Sequence, residues 1–256
     1  MAAPTKTFPV DRLTVQIYPS SAALVTAAAR LAQHQLQHGI RERGEAAAIL
    51  ATGNSQLQFL DTLVKLGGVE WSRVTLFHMD EYLGVHSDHP ASFARYMRER
   101  VEERVNPKEF YYLTGDSPEP LKECEHYETL LRRHPIDLCV LGVGENGHLA
   151  FNDPPVADFE DERWVKIVRL DETTRRQQTG YGYFKTIAEV PLYGLTLTIP
   201  ALCAAEKVLC LAPGKRKAAI IRKTLHGEIS SGCPASVLRS LPQAQLLLDA
   251  ESAGLL

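Results

Sequence analysis

Short apolar runs alternate with longer amphipathic stretches along almost the whole chain, and this alternation restricts the fold more than any other feature. Leu13–Tyr18 and Ala46–Leu50 read as strands, as do residues 74–77, 136–141, 164–170, 194–198 and 207–211. Between them, residues 20–41, 56–66, 92–105, 124–133 and 215–225 read as helices, 20–41 carrying Ala, Leu and Val at three- and four-residue spacing, the period of a helix with one buried face. Strands separated by such helices need crossover connections. The expected product is an α/β fold, a single-domain, three-layer Rossmann-like arrangement of residues 1–256 around a mainly parallel sheet. The apolar runs 138–143 and 208–212 have the character of strands buried on both faces. A chain of 256 residues is within the size of one hydrophobic core.

Charge and composition narrow the partners. With 28 Lys+Arg against 31 Asp+Glu and a net charge of −3, the sequence offers no basic footprint, so neither nucleic acid nor a membrane is an expected partner. No apolar stretch approaches the length of a membrane span, and the first residues lack the pattern of a secretory signal. The five cysteines, Cys124, Cys139, Cys203, Cys210 and Cys233, are odd in number, widely spaced and form no CxxC pair. They read as reduced thiols in a cytoplasmic protein rather than as a disulfide frame or a zinc site.

In parallel sheets ligands collect beyond the carboxyl ends of the strands, and polar residues stand at several such points here. Thr52, Gly53, Asn54 and Ser55 lie between a strand and a helix, where free backbone N–H groups and the helix dipole suit a phosphate, although no Walker lysine follows. Asp80 and Glu81 follow the strand at 74–77, either as a helix cap with a surface carboxylate or as a carboxylate base in a cleft. Gly142, Gly144 and Gly147 lead into His148, which lets the backbone approach a ligand and presents an imidazole at the turn. The spacing is not GxGxxG, which argues against a dinucleotide. Lys215, Arg216 and Lys217 open a helix, where cations oppose the dipole unless an anion is bound. The acidic stretch 152–163 is either a lid or a solvated surface loop.

Taken in order, HMDEYLG, DHPASF, LGVGENGHLAFNDP and the Lys217 junction resemble the glucosamine-6-phosphate deaminase/isomerase family, whose superfamily includes the 6-phosphogluconolactonases. The resemblance runs from about residue 50 to 249, and the SDER and GxDGHTASLFP strings typical of the lactonases are missing. It implies that Asp80 moves a proton between C2 and C1 of an open-chain amino sugar and that His148 assists ring opening. It places Asp153 where the family has a glutamate in a relay with that histidine, and Asn146 where some members have an aspartate. The phosphate is expected on Thr52, Gly53, Asn54, Ser55 and Lys217, with Glu81, Gly144 and Gly147 as further substrate contacts. No metal and no organic cofactor is implied. The implied partner is a small-molecule sugar phosphate, and a homo-oligomer is compatible with the sequence.

Three departures from the family pattern bear on substrate. Asn146 cannot ionise, so charge opposite an imidazolium must come from Asp153 or Glu145; Asp153 is one methylene shorter than glutamate; and Gly180 falls near the position of a phosphate-contacting arginine, with Arg175 and Arg176 as nearby substitutes. Residues 156–162 also lack the basic side chains with which allosteric members bind N-acetylglucosamine 6-phosphate, so that activator is expected to have little effect. A 6-phosphogluconolactonase-like hydrolase, an isomerase of another phosphosugar and a non-catalytic sugar-phosphate sensor stay open as alternatives.

Overall fold

The computed structural model describes residues 3–256 except 180, 181 and 183. In chain order the elements are β1 (Lys6–Val10), β2 (Leu13–Tyr18), α1 (Ser21–Arg43), β3 (Ala46–Leu50), α2 (Asn54–Lys65), β4 (Val74–His78), β5 (Asp80–Tyr82), α3 (Phe93–Met97), α4 (Glu103–Val105), β6 (Glu109–Tyr111), α5 (Pro120–Arg133), β7 (Leu138–Gly142), β8 (Val165–Arg169), α6 (Glu172–Thr179), β9 (Tyr193–Leu197), α7 (Ile199–Cys203), β10 (Lys207–Ala212), α8 (Ala218–His226) and β11 (Ala244–Asp249). A π-helical turn, Arg98–Glu102, joins α3 to α4, and a 3₁₀ turn, Lys215–Lys217, leads into α8.

The main sheet has the order β1-β2-β11-β10-β7-β3-β4-β6. Every neighbouring pair from β2 to β6 is parallel, and only β1 runs antiparallel at the edge. Alternation along the strands feeds two cores. In β3, Ala46, Ala48 and Leu50 pack with α1 and α2, whereas Ala47 and Ile49 pack with α5, α7 and α8. The result is a helix–sheet–helix sandwich, as the alternation in the sequence implies. Burial of each Leu, Ile or Val side chain here contributes about 1.5–3 kcal/mol.

Helix α1 shows how local chemistry draws the boundaries. The Ser20 hydroxyl accepts from Ala23 N, and Gly44 closes the helix in the left-handed region at φ 80°. Its buried face runs through Leu24, Ala28, Ala32, Leu36 and Gly39, small enough to lie close on the sheet.

Two sequence readings are corrected at the level of topology. Residues 164–170 and 194–198 do contain strands, β8 and β9, but these lie outside the parallel sheet and form a separate antiparallel one in the order β5-β9-β8. The acidic pair Asp80 and Glu81 is itself part of this small sheet, with Asp80 opposite Thr196. Both acids are buried, so neither is a surface carboxylate, while Glu81 does cap the next helix, α3, by accepting from Phe93 N and Ala94 N.

Candidate active site

A cleft of about 860 Å³ opens above the carboxyl ends of β3, β7 and β10, neighbours in the parallel sheet. That volume accommodates a small phosphorylated metabolite. Three walls bring together segments far apart in sequence: the turn at Thr52–Ser55, the Gly142–His148 loop, and the Pro213–Lys217 junction. Asp80 and Phe93 close one side, and α6 contributes Thr173, Arg176 and Gln177.

Two glycines open matching turns at the cleft. Gly53 lies at φ 99°, ψ 166° before α2, and Gly214 at φ 91°, ψ 152° before the 3₁₀ turn. Neither helix start has a side-chain cap, and at the start of the twelve-residue α2 Gln56 N donates to Gly53 O, which leaves the N–H groups of Asn54 and Ser55 for a ligand. Asp249, at the end of β11, accepts from Gly214 N at 3.0 Å and fixes the second turn. Lys217 lines the cleft and burial lowers its pKa, an arrangement that favours an anionic partner.

The Gly-rich loop carries a fully formed relay. His148 Nδ1 lies 3.1 Å from Asp153 Oδ1. Asn146 Nδ2 donates to the same oxygen at 2.8 Å, while Asn146 Oδ1 accepts from His148 N. Thr174 Oγ1 donates to Asp153 Oδ1 at 2.6 Å and lies 3.0 Å from His148 Nδ1. The other carboxylate oxygen accepts from Asp171 N at 3.0 Å. Burial pushes the Asp153 pKa up, but the His148 and Thr174 hydrogen bonds outweigh it, and the carboxyl sits below its ordinary value. Asp153 is therefore an ion behind the imidazole. The turn itself is pinned by buried Asn152, whose Nδ2 donates to Leu149 O and Leu197 O. This places Ala150 at φ 50°, a left-handed conformation uncommon for alanine and held by its surroundings.

Asp80 faces this relay across the cleft. Its Oδ1 is buried with no hydrogen-bond partner among the described residues. Burial first, and the neighbouring Glu81 second, push its pKa up to about 8. Strand alternation sends Glu81 the other way. Its carboxylate accepts from Ser92 Oγ at 2.7 Å, Ala94 N at 2.9 Å, Tyr82 N at 2.9 Å and Phe93 N at 3.1 Å, which fastens the start of α3 to β5. Burial still leaves the Glu81 pKa raised despite those donors.

The site carries the signature of one family: a sequence model described as glucosamine-6-phosphate isomerases/6-phosphogluconolactonase matches residues 19–247. The chain belongs to that family. The glucosamine-6-phosphate deaminase of Exiguobacterium sibiricum is 36% identical over 207 residues, 81% of this chain and 80% of its own length. That of Listeria innocua is 35% identical, over 81% of this chain and 86% of its own. A solved monomeric glucosamine-6-phosphate deaminase superposes with a TM-score of 0.87 at 30% identity, covering 94% of this chain and 99% of that one. The 6-phosphogluconolactonase of Shewanella baltica shares the fold, with a TM-score of 0.76 at 20% identity over 92% of this chain and 97% of its own.

Set beside the family pattern, the expected residues fall into three groups. Thr52, Gly53, Asn54, Ser55, Asp80, Gly144, His148 and Lys217 all line the cleft. Asp153 and Asn146 stand behind His148 rather than in the cleft. Glu81 and Gly147, expected as substrate contacts, do not line it: Glu81 is spent on α3, and Gly147 packs against Cys233 and Ile220. Of the two substitute arginines, Arg175 is bound to the carbonyls of Ile187 and Val190, whereas Arg176 lines the cleft and pairs with Glu172. Gly180 lies outside the described residues. Residues 152–163, read as a lid or surface loop, contribute nothing to the cleft wall, and Lys166 ties them down through Val156 O and Asp161. Thr174, Asn152 and Asp249 carry structural duties at the site that local sequence spacing does not signal.

Proposed function

We propose that this enzyme is a glucosamine-6-phosphate deaminase, converting glucosamine 6-phosphate and water into fructose 6-phosphate and ammonia. The observation that carries the reading is the pairing, in one cleft with a cationic glycine-turn end, of an unpartnered buried carboxyl on Asp80 and the relay-held imidazole of His148. The phosphate takes the α2 N–H groups and Lys217, remote from the reacting carbons, and so orients them. His148, with Nδ1 turned to Asp153, offers Nε2 to move the anomeric hydroxyl proton to the ring oxygen, which opens the ring. Asp80 then takes the proton from C2 and returns it to C1, while a proton leaves the amine and one reaches O1, leaving an imine at C2. Water adds there and ammonia departs. Each positioned acid–base group is worth roughly 10²–10⁴-fold.

The unpaired thiols Cys124, Cys139, Cys203, Cys210 and Cys233 support a cytoplasmic setting. The test is release of ammonia and fructose 6-phosphate from glucosamine 6-phosphate, run beside Asp80→Asn. Equimolar products that disappear in the variant are expected. A lactone hydrolase has no use for a base at C2, so undiminished turnover of a sugar lactone by Asp80→Asn, without deamination by the wild type, would overturn the reading.

A further inference from the structure

We propose that Gln178 sets sugar specificity, its carboxamide hydrogen-bonding the hydroxyls on C3 and C4 of the substrate; the naming of those carbons rests on the deaminase reading, whereas the contact itself can be measured without turnover. Helix α6 turns only two side chains inward, Thr174 and Gln178, and neither is apolar. Thr174 is accounted for by its bonds to Asp153 and His148. Gln178 has no such account. It is only 7% exposed and lines the cleft, yet its side chain makes no hydrogen bond among the described residues. A carboxamide carries two donor hydrogens and two acceptor lone pairs, and taking it out of bulk water without partners is unfavourable. A methionine would fill the same place without that penalty. The polar end is therefore matched to a ligand that supplies the partners the protein does not.

Position selects the part of the ligand it meets. Gln178 follows Thr174 by four residues, so the two side chains are neighbours on one face of α6, about 5–6 Å apart at Cβ. Thr174 Oγ1 lies 3.0 Å from His148 Nδ1, which puts the carboxamide on the side of the cleft that holds the imidazole. The other α6 residues at the cleft, Thr173, Arg176 and Gln177, are all less buried than Gln178. With the phosphate on the α2 end and Lys217, and C1, C2 and the ring oxygen engaged by Asp80 and His148, the groups left to recognise are the C3 and C4 hydroxyls. Each hydroxyl both donates and accepts. A carboxamide complements such a pair, its oxygen accepting from one and its NH2 group donating to the other.

The experiment compares wild type with Gln178→Met, which keeps the length of the side chain and removes both polar atoms, a thermal melt confirming that the variant is folded. Deaminase kcat/KM is measured on glucosamine 6-phosphate and on its 3-deoxy and 4-deoxy analogues. Wild type is expected to lose roughly 10- to 100-fold when a recognised hydroxyl is missing, because the carboxamide is then left unpaired. Gln178→Met is expected to lose as much on the parent sugar and to lose no more than about 3-fold further on that analogue, the mark of two groups that touch. Full wild-type discrimination against both analogues in Gln178→Met overturns the proposal, as does a wild type indifferent to both. A wild type that releases no ammonia overturns the proposed function instead, and calorimetry then decides Gln178 with glucose 6-phosphate, which carries the same C3 and C4 hydroxyls, beside inorganic phosphate. Gln178→Met is expected to weaken glucose 6-phosphate roughly 10- to 100-fold and to leave inorganic phosphate unchanged. An equal effect on both ligands, or none on either, overturns the proposal.

Discussion

Gly144→Ala is the sharpest probe of how the site is assembled. A Cβ built on Gly144 lies 2.2 Å from Cε1, 2.3 Å from Nε2 and 2.4 Å from Nδ1 of His148, so the imidazole rests directly on this glycine. Gly144 is not among the residues at positive φ, so alanine brings no backbone strain and the effect is purely one of volume. The loop cannot easily retreat, because Gly144 N donates to His148 O and Gly144 O accepts from Gly147 N. Ordinary carbon contacts begin near about 3.5 Å, so the ring must move by about 1 Å. A displacement of that size at a reacting group costs about 10²-fold in rate. Overpacking should cost about 1–3 kcal/mol of stability besides. The assay is ammonia release in the steady state beside a thermal melt. The expected variant is folded, with its melting point modestly lowered, kcat reduced about 10²-fold and KM altered far less. Wild-type kcat in Gly144→Ala would refute the reasoning, since the ring would then have no fixed seat to lose.

Further predictions concern the carboxyls and the anion end. In the free enzyme Asp80 holds its proton up to about pH 8, so kcat/KM should rise with pH across that region. Between the ordinary carboxyl value of 3.8 and about 8 the native state binds a proton that the unfolded chain has released, so stability must fall as pH rises through that window. Asp80→Asn should abolish this slope and be more stable than wild type at the alkaline end while inactive; parallel melting curves at all pH values would contradict it. Glu81→Gln turns a donor towards backbone N–H groups and should cost about 3 kcal/mol by denaturant titration, while moving the acid limb of kcat/KM to lower pH through loss of a like-charged neighbour. Lys217→Ala should raise KM roughly 10- to 100-fold with kcat changed little, and an unchanged KM would remove Lys217 from the phosphate end.

What could be read from the sequence follows the range of the interactions involved. The buried strands β3, β7 and β10 are continuous apolar runs and declare themselves locally, as does the glycine turn at residues 52–55. Which sheet a strand joins is decided by its partner, so β8 and β9 are legible as strands but not as members of a separate antiparallel sheet. The same applies to Asp80 and Glu81: only as β5 do they alternate, one towards the cleft and one towards α3. Helix α6, with the sequence ETTRRQQT, buries only Thr174 and Gln178 and offers no apolar stripe to signal it. Thr174 meets Asp153, 21 positions earlier in the chain, because β8 returns the chain over the relay, a contact no local spacing records. β11 follows a 3₁₀ turn and interrupts its apolar run with Gln245, so its three leucines do not stand out as a strand.

The departures at Asn146 and Asp153 resolve into one electrostatic design. Shortening the relay carboxylate by a methylene leaves no gap, because Asp153 touches His148 directly and is held by two neutral donors, Asn146 and Thr174. A second carboxylate at position 146 would not strengthen this arrangement. In Asn146→Asp the new oxygen would stand about where Nδ2 now lies, 2.8 Å from Asp153 Oδ1. Two carboxylates at that distance share a proton, and one of their pKa values is driven up. While that proton is held, the introduced acid donates to Asp153 as the Asn146 amide does, so turnover should match wild type, and below the ordinary carboxyl range the melting point should match as well. Between the ordinary carboxyl value and the raised one the native pair holds a proton that the unfolded chain has released, so the variant's stability must decline relative to wild type as pH rises through that window and level off above it. Melting curves of both proteins across the acid-to-alkaline range measure this directly. A constant difference between them would mean that the two side chains move apart, and that Asn146 is a spectator rather than the donor that keeps Asp153 charged behind His148.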